Sequence, residues 1–595
     1  MHVSHATLFI YWVSLFVGYT KGQSSSITFC NRLYHSVTVA NDKLYVDGGE
    51  VRTVADGNVS VSLPEYVSTL DLSKPFSNSD PSIWQSIPKN VTSPNNNPPT
   101  LNDGSMFATK SGLFLFGGAL SAAPGAPAVP PPNALWQYDF SNDNWTSITP
   151  SGDPVQRIHW GTSVQAVNSS NGYFLGGAIT PKSDPAFNAL SGAEPYQVQG
   201  LITLNEDTVH YTNSSTTGLN LDGTTLGGFL TLIESLGSAG VLISFGGISN
   251  NPGKPMELDD ADLEDPTMHR SLGNVSVYDI GGDKWFQQTA SGDIPQWRYV
   301  GCSVAVSAPD GSSHSIYVFG GWGNSAGVSD GNVYVLSIPS FRWIRVNEDS
   351  NLRSRHQCAL ASKSTMLVVG GIHSRGDSLQ PLDATGCDTT QMFAQGLGIF
   401  SLNNHQWSTK YDPAQASQPY QVHPNISKVI GGNQQGSATL QAPAGGFSQR
   451  ALATLLKARG TTNHEHLRTA VIAGIAVATG VVTIVALLLT LYLIRRRNRL
   501  QAPPRPQISS PMPLYRKASE LTASSFGSAN SPLSLQRGPV ELSDGKGAAY
   551  EISSAEKPLP PYPHDSTTIS IQEMEGELGW HPAMRSAMED EKRCK

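Results

Sequence analysis

One pattern restricts what this chain can fold into more than any other. A short apolar run ending in two glycines occurs six times: "KLYVDGG" from Lys43, "GLFLFGG" from Gly112, "GYFLGG" from Gly172, "VLISFGG" from Val241, "SIYVFGG" from Ser315 and "MLVVGG" from Met366. After each pair come a variable loop, a second apolar run and an aromatic at a set distance. Tyr138 precedes Trp145 by seven positions, and the same step joins Tyr278 to Trp285, Leu336 to Trp343 and Phe400 to Trp407. Leu204 leads to Tyr211, and in the first unit Leu70 leads to Trp84 with seven extra residues between. Arg32, Arg157, Arg298 and Arg355 stand upstream of four of the units.

Each unit reads as four short strands in a meander. A lone four-stranded sheet cannot bury both faces. Sheets set radially bury them against one another and leave few edges. Glycine ends the second strand where no side chain fits, and the aromatic fills the space between sheets. The expected fold is therefore all-β, a six-bladed β-propeller, with "SIYVFGG" as the second strand of the fifth blade. The composition agrees, with 57 Gly, 40 Pro and only 14% charged residues among 595.

Gly-Gly, then Tyr138-Asp139 or Tyr278-Asp279, then Trp resembles the kelch repeat. "ASGDIPQWRYVGCSVAVSAPDGSSHSIYVFGG", "YVLSIPSFRWIRV" and "VIGGNQQGSATLQAPAGGF" resemble fungal single-pass membrane proteins with a galactose-oxidase-type kelch β-propeller. The resemblance covers roughly residues 29 to 455. Tyr211 in place of tryptophan, the enlarged first unit and the missing arginine before the second depart from the pattern. Gly431-Gly432 and Gly445-Gly446 lack aromatic companions, so residues 413–469 read as a stalk or cap, with a cryptic seventh blade as the alternative.

Two segments fall outside the propeller. An apolar run from Ala6 to Val17 predicts a signal peptide over residues 1–22. Residues 470–494 carry no charge, and Arg495, Arg496, Arg497 and Arg499 follow, which predicts one transmembrane helix with the N-terminal part exterior. The sequons at Asn58, Asn90, Asn144, Asn168, Asn213, Asn274 and Asn425 all precede that segment. Residues 23–412 are thus the exterior propeller and 495–595 a disordered cytoplasmic tail. Localisation is expected at the plasma membrane or in the secretory pathway. Cys30, Cys302, Cys358 and Cys387 allow two disulfides in three connectivities.

In a meander, the loops after the glycine pairs and the junctions between units emerge on one side. That face is expected to gather Arg157, His159, Trp160, Trp297, Arg298, Tyr299, Trp322, Arg355 and His356 around a channel mouth. Aromatic faces stack on sugar rings and guanidinium forks bind carboxylates, so a glycan or protein ligand is expected there. The competing reading makes each arginine a brace between blades.

Galactose-oxidase relatives hold copper with His and Tyr, which makes a carbohydrate oxidase the sharp alternative. Tyr34-His35 and His210-Tyr211 do not match that pattern, so no catalytic or metal-binding residue is assigned and no cofactor is expected. A protein-interaction scaffold is the third reading. "ELDDADLED", Glu257 to Asp265, lacks the glycine and final glutamate of a calcium loop and reads as solvated. Ala470, Gly474 and Ala478 have the spacing of close helix contacts. In the tail, Leu559, Pro560 and Tyr562 fit an L-P-x-Y ligand for WW domains, and Ser519 follows a basic pair suited to a kinase. A net charge of −8 leaves no case for nucleic acid.

Overall fold

The computed structural model describes residues 28–457, apart from loop stretches chiefly at 90–96, 188–195, 250–266, 324–327 and 374–386, together with Tyr492, Leu493, Arg496 and Arg497. The chain divides into two units, Met1–Arg495 and Arg496–Lys595. The expected signal peptide, the acidic stretch, Asn90 and the tail motifs lie outside the described residues, as does the 470–494 segment except Tyr492 and Leu493. No described helix is long and apolar enough to cross a membrane.

The six apolar runs are all strands: Lys43–Asp47, Gly112–Phe116, Asn171–Leu175, Val241–Phe245, His314–Phe319 and Thr365–Ile372. Each pairs antiparallel with a preceding inner strand, as His314–Phe319 pairs with Cys302–Ser307. The inner strands Ser36–Ala40, Ser105–Ala108, Thr162–Gln165, Phe229–Ile233, Cys302–Ser307 and Ser354–Leu360 adjoin in that order, and the last touches the first. The result is a closed β-propeller.

The expectation of six equivalent blades is corrected to five free-standing ones, each a sheet of four or five strands. The last unit is instead part of a seven-stranded sheet. There Thr28–Leu33 joins Thr365–Ile372 through the Arg32–Gly371 pair and carries the hairpin of Glu50–Ala55 with Asn58–Ser62. A ring must join its ends, and here the first described strand is laid onto the last unit.

The seven-residue step is now a contact. Tyr138 faces Trp145 across a hairpin, as do Tyr278 and Trp285, Leu336 and Trp343, Phe400 and Trp407, and Leu204 and Tyr211. Despite its insertion, the first unit keeps the pair Leu70 and Trp84. The tryptophans reach the preceding blade: Nε1 of Trp145, Trp285 and Trp343 donates to the carbonyls of Pro88, Ser215 and Leu272 at 3.0–3.2 Å. An aromatic here fills the gap between blades and bonds across it.

Residues 413–457 contain three short helices and no described strand, so a seventh blade is absent from this stretch. They form a strap. Tyr420, Val422, Ile426 and Ile430 pack with Tyr317 and Phe400, and Leu452 and Leu456 join the core beside Phe229 and Val241.

Candidate functional site

The glycine pairs explain how the units are held in register. A Cβ on the first glycine of each pair would press on a carbonyl of the next unit. Gly48 would lie 2.2 Å from Leu101 O, Gly117 2.3 Å from Ile158 O, Gly320 2.4 Å from Arg353 O and Gly370 2.4 Å from Arg32 O. The second glycine donates its N–H to the same carbonyl, as Gly49 does to Leu101, Gly118 to Ile158 and Gly321 to Arg353, each at 2.8–2.9 Å. Three junction arginines then cap their own unit's glycines: Arg32 on Gly48 O, Arg298 on Gly320 O and Arg353 on Gly370 O.

Directly after each junction one residue takes left-handed backbone. These are Tyr34 (φ 61°), Asp103 (54°), Trp160 (60°), Gly227 (55°), Val300 (49°) and Arg355 (57°). Only one is glycine, although this region penalises other residues. A chain of backbone hydrogen bonds compensates. The N–H of Asp103 donates to Tyr34 O, Trp160 to Asp103 O, Gly227 to Trp160 O, Val300 to Gly227 O and Arg355 to Val300 O, at 2.7–3.0 Å. The strain is thus held by a collar that passes from unit to unit around the axis.

All six collar residues line a cavity of about 380 Å³ at the channel mouth. Tyr34, Asp103, Trp160 and Arg355 are half-buried there. The Arg355 guanidinium lies over the Tyr34 ring at 5.3 Å. Burial pushes the Asp103 carboxyl up to about 7, against the opposing pull of Arg355. His159 lies in the same wall, 9% exposed, and neither ring nitrogen has a hydrogen-bond partner. Burial lowers its pKa to about 4, so the imidazole is neutral at physiological pH. The site therefore offers a neutral donor and acceptor, a carboxyl, a guanidinium and an indole face.

The structure divides the residues expected on this face. His159, Trp160, Arg355 and His356 line the cavity. Arg157 and Arg298 do not; they are 2% and 3% exposed and turned inward. Arg157 donates to the carbonyls of Pro131, Pro132 and Ser183, and Arg298 to those of Gln296 and Gly320. Tyr299 and Trp322 are buried in an apolar cluster against which Trp297 packs, its ring stacked 3.2 Å from His269. His356 is fully buried with Nε2 on Phe319 O at 3.1 Å, and His35 repeats this on Val369 O at 3.1 Å. Both histidines brace neighbouring units.

Asp103 was not among the expected face residues. Aligning units on the residue after each junction would place Asp103-Gly104 beside Trp160-Gly161, Gly227-Gly228 and Val300-Gly301. Among the described residues one group could hold a metal: Cys302, His356 and Cys358, with ligand atoms within 4.8 Å of one another. The two sulfurs are joined as a disulfide, and Cys30 is joined to Cys387, so the thiolates that a metal would need are consumed.

No protein-family model matches the chain. It is 27% identical to a kelch repeat-containing protein of Arthroderma benhamiae over 492 residues, covering 73% of this chain and 68% of that one. The solved structure of YjhT is similar with a TM-score of 0.40 at 11% identity, covering 65% of this chain and 99% of that one. The relative and the blade arrangement together support a kelch-type β-propeller.

Proposed function

We propose that this protein is a binding module whose ligand occupies the channel-mouth cavity, and that the ligand is a hydroxylated molecule of the glycan class. One observation carries this reading: the collar turns Tyr34, Asp103, Trp160 and Arg355 into one cavity beside an unpartnered His159. Sugar hydroxyls both donate and accept, which matches a neutral imidazole and a carboxyl, and an indole face suits the ring.

The test is a glycan array probed with the purified full-length protein. Asp103→Ala and Arg355→Ala are each expected to weaken binding about tenfold or more, since each removes a charged hydrogen-bonding group from a shielded site. Trp297→Phe, outside the cavity, is expected to change little. Binding undiminished by both cavity substitutions would overturn the assignment.

We also place the propeller outside a membrane, anchored through residues 470–494. Support comes from the uncharged run, the arginines after it and the one-sided distribution of sequons. Asn58, Asn213, Asn274 and Asn425 are exposed and suited to glycosylation. Asn144 is half-buried, and the Asn168 amide is held by Glu234. Glycopeptide mapping is expected to find the first four occupied and Asn144 bare; an unglycosylated exterior would contradict this topology.

A further inference from the structure

We propose that the ligand is an amphiphile, with a hydroxylated head at His159 in the channel cavity and an apolar chain in the groove beside it. This deepens the binding reading and rests on it. A second cavity of about 710 Å³ shares Tyr34, Asp103 and His159 with the first, so the two adjoin at those side chains. Ala119, Leu120, Ala123, Pro124, Val129 and Pro130 wall the second cavity. Val129 is 63% exposed, an uncovered branched aliphatic at the rim of an apolar groove.

The groove is built rather than incidental. Ala119 and Asn102 exchange backbone hydrogen bonds at 2.7 and 2.8 Å, and Leu120 N–H donates to Lys182 O at 2.9 Å. The Ser121 hydroxyl donates to Glu50 Oε1 at 2.7 Å and accepts from Ala123 N–H at 2.8 Å. Arg157 holds the far end of the loop through the Pro131 and Pro132 carbonyls. Glu50 also accepts from Asn102 Nδ2 at 3.0 Å and lies 3.7 Å from the Arg52 guanidinium. The Glu50 carboxylate, Ser121 hydroxyl and Asn102 Nδ2 are thereby engaged, while Asn102 Oδ1 has no partner.

Of the side chains shared by the two cavities, His159 has both ring nitrogens without a partner. Two buried ring nitrogens without partners carry a desolvation cost that a hydroxyl can relieve at either one, donating to the bare nitrogen or accepting from the N–H. The surrounding charge selects a neutral head. Asp103 and Glu50 oppose an anion, while Arg52, Lys182 and Arg355 oppose a cation. A flat protein surface could not reach an imidazole that is 9% exposed.

The experiment measures binding of straight-chain 1,2-diols, from roughly three to ten carbons, to the full-length protein by calorimetry. Each added methylene is expected to tighten binding about fourfold while the chain lies in the groove. His159→Leu is expected to abolish binding at every length, and His159→Gln, which keeps a donor and an acceptor, to retain it. Val129→Asp is expected to flatten the dependence on chain length and leave the shortest diols unaffected. Melting temperatures of the three variants separate loss of binding from loss of fold. Length-independent binding would overturn the amphiphile and leave the glycan reading standing. Binding unchanged in His159→Leu, or no diol bound at any length, would overturn it as well.

Discussion

At the scale of the residue, glycine and histidine decide most. Gly117 combines a left-handed φ of 69° with a Cβ position 2.3 Å from Ile158 O, whereas Gly125, at φ 86°, has nothing within 4 Å. Alanine at Gly125 is expected to cost only the left-handed backbone, about 1–2 kcal/mol. At Gly117 it must also displace a neighbouring unit's backbone, and the loss on chemical denaturation should be clearly larger. Equal losses would refute the close-approach explanation. Five histidines are held neutral chiefly by burial: His35, His356 and His405 with pKa lowered to about 3, His159 and His314 to about 4. The unfolded chain protonates them near pH 6.5 and the folded chain does not, so stability falls as pH drops from about 6.5 toward 4. Asp103 and Glu206, both raised to about 7 chiefly by burial, act oppositely, because over the same interval the folded state keeps protons that the unfolded state releases. With histidines in the majority, the melting temperature should fall between pH 6.5 and 4.5. A rise would show that the buried carboxyls dominate.

At the scale of the element, the hairpins were legible and the closures were not. A constant step of seven between Tyr138 and Trp145, or Phe400 and Trp407, survives in sequence because a tight hairpin fixes which residues face each other. The insertion between Leu70 and Trp84 gave no such sign. Its Phe76–Ser77 strand pairs with Lys410–Tyr411, far along the chain, and that match leaves no periodicity. Beside it Asn78 is fully buried, and Nδ2 donates to the carbonyls of Met392 and Leu397 at 2.9 Å. Asn78→Ala strands buried acceptors on the last unit and is expected to cost about 2–3 kcal/mol, measured by urea unfolding. The collar was legible only through the glycine that follows four of its members. Its members are Tyr, Asp, Trp, Gly, Val and Arg, and what they share is a backbone angle rather than a residue type. The arginines were seen in sequence, but their direction was not. Arg157 and Arg298 point into the body, and the cation that lines the cavity is Arg355.

At the scale of the whole molecule, closure and the strap matter. The Cys30–Cys387 disulfide spans 357 residues and ties the first strand to the last unit. Its removal by Cys30→Ser is expected to lower stability by about 2–5 kcal/mol, read as a shifted denaturant midpoint. The strap bonds to Asp310 through Ser437 N–H and to Ser312 Oγ through Ala438 N–H, and Leu455 sits by Gly237. Those residues lie in turns between first and second strands, at the end opposite the glycine pairs. The strap therefore packs on the side away from the cavity mouth. The central claim, that ligand enters the collar cavity, is tested most directly by hydroxyl-radical footprinting of the full chain with and without its best array glycan. Protection of Tyr34 and Trp160, with Trp145 and Trp343 unchanged, is the predicted result. Protection confined to the strap or the outer hairpins would contradict it.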